Sequence, residues 1–79
     1  MLKQTLNIKN FSFPFRLSAF RSAADSGIIA TLSSESLPDC RAYFLADGQL
    51  DPECNRITDD DIESAVIAAV QAAIAKGSL

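Results

Sequence analysis

The last quarter of the chain limits what the rest can be. From Ile57 to Gly77 the large apolar residues recur at helical spacing, and no other stretch sustains that spacing. At ~100° per residue, Ile62, Val66, Ile67, Val70, Ala73 and Ile74 fall within one arc of about 140°. The start is marked by Thr58 as N-cap, whose hydroxyl can accept a first-turn backbone N–H. Asp59, Asp60, Asp61 and Glu63 follow, at the positive end of the helix dipole. Thr58-x-x-Asp61 approximates a capping box, with Asp where Glu or Gln is usual, and Ile57 and Ile62 are spaced as a hydrophobic staple. Lys76 falls in the last turn and Gly77 at C′. The pattern predicts one amphipathic helix over about 59–76. Its opposite side carries Ser64, Ala68, Gln71, Ala72 and Ala75, and is almost uncharged. Ser64, Ala68 and Ala72, four apart, make a candidate dimer face, or else Ala is there for its helix propensity alone.

Upstream, the period is two. In Thr5–Phe20, Leu6 and Ile8 share one parity, and Phe11, Phe13, Phe15 and Leu17 the other. This reads as a strand with a bulge or short turn near Asn10, because one extra residue moves side chains to the opposite face. Pro14 cannot donate to a ladder, which predicts an edge strand or a bulge at that point. Residues 18–26 fit either a hairpin loop or a helical turn. Ile28–Ser33 and Arg41–Ala46 read as further strands, separated by a loop around Pro38. Asp47-Gly48 is a strong turn signal and allows a short strand to begin at Gln49. The expected fold is α+β: an antiparallel three- or four-stranded β-meander packed by one C-terminal helix. Its core would be Leu6, Ile8, Phe11, Phe13, Phe15, Ile28 or Ile29, Leu32, Phe44, Ile62, Val66, Val70 and Ile74.

Length bounds the energetics. Seventy-nine residues suggest one domain over 1–79. A chain this short buries only about 60–65% of the surface its unfolded form exposes. A disulfide, a metal or a second subunit often supplements such a core. The longest apolar run, Ala65–Val70, is far below the ~20 residues a membrane helix needs. Lys3, Lys9 and Arg16 interrupt the N-terminal apolar residues, which argues against a signal peptide. A cytoplasmic location is expected.

The residue types exclude much chemistry. With no histidine, no Ser-His or Cys-His dyad forms within the chain, and the commonest zinc ligand is missing. Adjacent carboxylates in Asp59-Asp60-Asp61 diverge by ~100° on a helix and do not converge on one ion. The EF-hand frame is absent, as is any glycine-rich phosphate loop. No metal, no cofactor and no catalytic residue is expected. Cys40 and Cys54 enclose 13 residues, and a bridge between them would contribute about 3 kcal/mol. Reduced thiols, this candidate disulfide and an intermolecular bridge all remain open at this level.

Charge is uneven: residues 1–24 hold four bases and no acid, while residues 25–79 hold ten acids against three bases. Either the halves face each other, in one fold or across a dimer, or they serve two kinds of partner. With no reactive group in view, the sequence points to a non-enzymatic small acidic protein acting by protein–protein contact, as an inhibitor or accessory subunit. In size and charge alone it is compatible with small acidic phage-encoded inhibitors, anti-CRISPR proteins among them. The contact surface on this reading is Asp47, Asp51, Glu53, Asp59, Asp60, Asp61 and Glu63, offered to a protein partner with a basic surface. The alternative is a nucleic-acid-binding domain that uses the basic, Phe-rich N-terminal strand with Lys9 and Arg16; the net charge of −3 disfavours it, and nucleic acid is not the expected partner.

Overall fold

The computed structural model describes residues 1–79 throughout. Four strands, β1 (Leu2–Leu6), β2 (Phe15–Arg21), β3 (Ile28–Ser33) and β4 (Cys40–Phe44), form one antiparallel sheet in the order β1-β2-β3-β4. The helix α1 (Asp60–Ala75) follows and supplies buried residues to the same core as one face of the sheet. The α+β meander with one C-terminal helix is therefore the architecture.

The fourth strand comes from the N-terminal stretch, which folds as a hairpin and not as one bulged strand. β1 and β2 are joined through residues 7–14, and Leu6 pairs with Phe15. The change of parity marks a reversal of the chain: after it, residues of opposite parity return to the same face. Asn10 sits at φ 70°, a left-handed conformation that Asn tolerates better than most residues, and the Phe11 amide donates to the Ile8 carbonyl at 3.1 Å. Pro14 lies one residue before β2 and takes no place in the ladder, so β2 is an interior strand despite it.

Residues 18–26 also resolve as strand and hairpin. β2 runs on to Arg21, and the reversal closes with Ser22 N–H to Gly27 carbonyl at 2.7 Å. Asp25 accepts the Gly27 amide through its side chain, a local Asx turn. β3 has the expected bounds. β4 begins and ends earlier than expected, because the Asp47-Gly48 turn draws the chain back at once. Gly48 has φ 93°, and Leu45 and Gln49 bond across the turn. The short strand expected at Gln49 reduces to a single bridge between Phe44 and Leu50. From there the chain runs back beside β4. The amides of Asp51 and Arg56 donate to the carbonyls of Tyr43 and Arg41. This strap covers the β4 edge, whereas β1 is the other edge strand and pairs only with β2.

The helix starts one residue later than the threonine cap implies. Asp59 is the N-cap: it is extended (φ −92°, ψ 126°), and its carboxylate accepts the Ile62 amide at 3.0 Å. Asp caps at least as well as Thr, so two adjacent candidates compete and the tertiary placement of Ile57 and Ile62 in the core selects between them. Lys76 is the C-cap rather than a last-turn residue. At Gly77 (φ 79°), the amides of Gly77 and Ser78 donate to the carbonyls of Ile74 and Ala73, the paired bonds of a Schellman motif.

The core holds Ile8, Phe15, Leu17, Ile28, Leu32 and Phe44 against Ile57, Ile62, Val66 and Val70. Leu6, Phe11, Phe13 and Ile74, expected in it, are partly buried at its margin. Alanine contributes more than the sequence pattern implied. Ala19, Ala30 and Ala42 are register partners in a row across β2, β3 and β4, with 0%, 1% and 1% of their surface exposed. Ala69 and Ala73 are buried on the helix. Small residues on both layers leave room for Leu, Ile, Val and Phe to interdigitate at native density.

Candidate binding surface

The residues singled out by sequence do not gather in one place. Phe11, Phe13 and Phe15 do form an aromatic cluster, with ring centroids 5.2–5.7 Å apart. But Phe11 and Phe13 belong to the loop before β2, and all three rings pack on or in the core. The N-terminal phenylalanines are thus core material, not an exposed aromatic strand.

The acidic residues spread in a band beside β4 and around the helix start. Gly48, next to Asp47, lies against Gln71 and Ile74 in the C-terminal half of α1. Asp59, Asp60, Asp61 and Glu63 occupy its N-terminus, roughly 15–20 Å away at 1.5 Å per residue. Five of the seven carboxylates have local partners. Asp47 and Asp51 accept the amides of Gln49 and Glu53, and Asp59 caps the helix. Asp61 accepts from the Asn10 side-chain amide at 2.7 Å, and Glu63 from that of Asn55 at 2.8 Å. These last two bonds tie the β1–β2 loop and the strap to the helix start. Nowhere do three or more carboxylates or thiols come close enough to hold a metal ion.

Cys40 is partly buried and directs its sulfur to the Pro38 carbonyl, while Cys54 is exposed; both are free thiols. Ser64, Ala68, Gln71, Ala72 and Ala75 are exposed along the outer side of the helix. No helix is long and apolar enough to cross a membrane.

The uneven charge is not spent on pairing within the fold. None of the side-chain hydrogen bonds joins a lysine or arginine to a carboxylate; Arg21 donates instead to the backbone carbonyls of Ser26 and Ala46. Three of the seven cations, Lys3, Arg16 and Arg41, instead share a surface of which sequence reasoning named only Arg16: the face of the sheet turned away from the helix.

Pairing registers fix how that face is laid out. Phe20, Ile29 and Tyr43 stand opposite one another on β2, β3 and β4 and form an apolar row. The next row reads Lys3, Ser18, Thr31 and Arg41 across all four strands. The third is Thr5, Arg16 and Ser33. Rows on one face are two residues apart along each strand, about 7 Å. The strands therefore carry three cations, four serine or threonine hydroxyls and two aromatic rings on this face, and no carboxylate. Phe20 is 42% exposed, and Leu45, just beyond β4, is 47% exposed. Beside the cations lies a shallow hollow of about 510 Å³ that includes Lys3, Arg16, Thr31 and, at its rim, Asp39. Asp25 and Asp51 border the other end, near Ile29 and Tyr43, with their carboxylates engaged by loop amides.

The signal for this face was present but incomplete. Phe20 lies out of phase with the inward Phe15, Leu17 and Ala19 of its own strand, so alternation alone turns it outward. Alternation does not show that Ile29 and Tyr43 stand beside it. Comparison with family models, with curated proteins and with solved structures finds no match to this chain.

Proposed function

We propose that the chain is a non-enzymatic binding protein, acting as an inhibitor or accessory subunit, and that it makes contact through the outer face of its sheet. The observation that carries this reading is the Phe20–Ile29–Tyr43 row, in which Phe20 is exposed and Ile29 and Tyr43 are half-buried, beside three cations with no carboxylate partner. A sheet usually turns one apolar face to its own core and a polar face to water. Aromatic and β-branched side chains on the second face gain by being covered, at about 25 cal/mol per Å² of apolar area.

The acidic band is the competing contact surface. It has less to recommend it, because five of its carboxylates already serve caps, turns and loop ties. Asp59, Asp60, Asp61 and Glu63 lie at the helix start, on the layer opposite the outer sheet face, so substitution there separates the two surfaces. In affinity capture from the native host, Phe20→Ala/Tyr43→Ala should lose the macromolecule that the wild-type chain retains, while Asp60→Lys should keep it. Retention by the sheet-face variant together with loss by Asp60→Lys would overturn the assignment in favour of a partner with a basic surface. A folded-state check by circular dichroism accompanies each variant.

A further inference from the structure

Resting on the outer sheet face as the contact surface, we infer that its occupant is a single-stranded nucleic acid. Such a strand complements the face at the spacing the sheet imposes. A nucleotide chain offers, in every unit, an aromatic ring face and an anion. Here an aromatic row lies about 7 Å from a row of cations and hydroxyls. Phe20 and Tyr43 are two strands apart, about 10 Å, with Ile29 filling the floor between them.

Bases stacked on these rings would direct phosphates over Lys3, Ser18, Thr31 and Arg41, with Arg16 in reach behind them. The hydroxyls of Ser18 and Thr31 donate to phosphate oxygens and carry no competing charge. Stacking on aromatic rings beside a cationic track is the general means of holding unpaired strands without sequence readout. A duplex keeps its ring faces inside the stack and offers Phe20 and Tyr43 nothing to cover them. Four acids lie together at the helix start on the other layer, which orients a polyanion toward the sheet, while Asp25, Asp39 and Asp51 border the sheet face at its rim.

An acidic protein would satisfy the cations, but not the regular alternation of ring and anion; it is the rival outcome of the test. The probe is a fluorescein-labelled mixed-sequence DNA or RNA strand of about 12 nucleotides, within the span of one small single-strand-binding domain, read by fluorescence anisotropy. With three cations on phosphates the slope of log K against log salt is about −2, and affinity falls about 20-fold between ~50 and ~200 mM salt. Phe20→Ala and Tyr43→Ala each weaken binding about tenfold with that slope unchanged. Arg16→Gln/Arg41→Gln reduces the salt effect over the same range to about threefold.

No binding of either strand at low salt overturns the inference. So does binding that ignores both aromatic substitutions, or that prefers the matching duplex. If no probe binds but Phe20→Ala/Tyr43→Ala loses a captured acidic protein, the sheet face stands as the contact surface and only its occupant changes. If the probe binds and the sheet-face variants bind it equally, the surface itself is wrongly assigned.

Discussion

Replacing Gly48 by alanine tests the tie between the β4 strap and the helix. Gly48 has φ 93°, and a Cβ built on it would stand 2.8 Å from Ile74 Cδ1. Two costs follow. A left-handed conformation costs a non-glycine residue about 1–2 kcal/mol, part of which is offset by the lower entropy of the unfolded chain. The contact then forces the end of Ile74 off its preferred rotamer, about 0.5–1.5 kcal/mol. Gly77 isolates the first cost, since it has φ 79° and nothing within 4 Å of its would-be Cβ. Gly77→Ala should therefore destabilise by about 1 kcal/mol and Gly48→Ala by about 2 kcal/mol. At 79 residues the unfolding entropy near the midpoint is about 170 cal/mol/K, so the shifts in Tm are about 6 and 12 °C. Ile74→Val deletes the atom that collides and costs about 0.5 kcal/mol alone, because Ile74 is only partly buried. In Gly48→Ala/Ile74→Val the two effects should then fall about 1 kcal/mol short of additive. Thermal and urea unfolding followed by circular dichroism, in reductant, measure all four variants. Equal loss at Gly48 and Gly77, or strict additivity with Ile74→Val, would refute the argument from contact.

Two further perturbations address the helix. Asp59→Ala should cost about 1 kcal/mol and Thr58→Ala only a few tenths, because the carboxylate of Asp59 and not the Thr58 hydroxyl holds the Ile62 amide; the reverse order in urea unfolding would return the cap to Thr58. Ala68→Arg, on the exposed small-residue side, should leave unfolding within about 0.5 kcal/mol of wild type and the mass by light scattering unchanged; a dimer in the wild type that this substitution abolishes would mark that side as an interface.

Much of the fold was legible because its signals are local. The helical arc from Ile62 to Ile74, the glycine at C′ and the Asp47-Gly48 turn each depend on neighbours within a few residues, and each occurs where the pattern put it. Ile28–Ser33 has the bounds its alternation implied. The reading stayed open near Asn10, and went wrong at the helix cap, where two local readings were equally good. A change of parity fits a bulge as well as a hairpin, and only the pairing of Leu6 with Phe15 separates them. Thr58 and Asp59 are both competent caps, so the choice falls to how Ile57 and Ile62 reach the core. Of the buried alanines only Ala73 was placed on an inward face; Ala19, Ala30, Ala42 and Ala69 were missed because alanine carries little hydrophobic signal, and their burial comes from lying between larger residues.

The binding surface was the least legible part. The phenylalanines that stood out in the sequence are consumed by the core. The acids that stood out serve as caps, turn formers and ties between loops. By itself the sequence determined that one amphipathic helix closes a small antiparallel sheet, and that charge divides between the two ends of the chain. Only the tertiary structure decided that Phe20, Ile29 and Tyr43 stand side by side with Lys3, Arg16 and Arg41 on the uncovered face. Alternation assigns a residue to one side of its own strand, whereas neighbours across strands depend on register. Register here is set by three hairpin connections and by the packing of the opposite face against the helix.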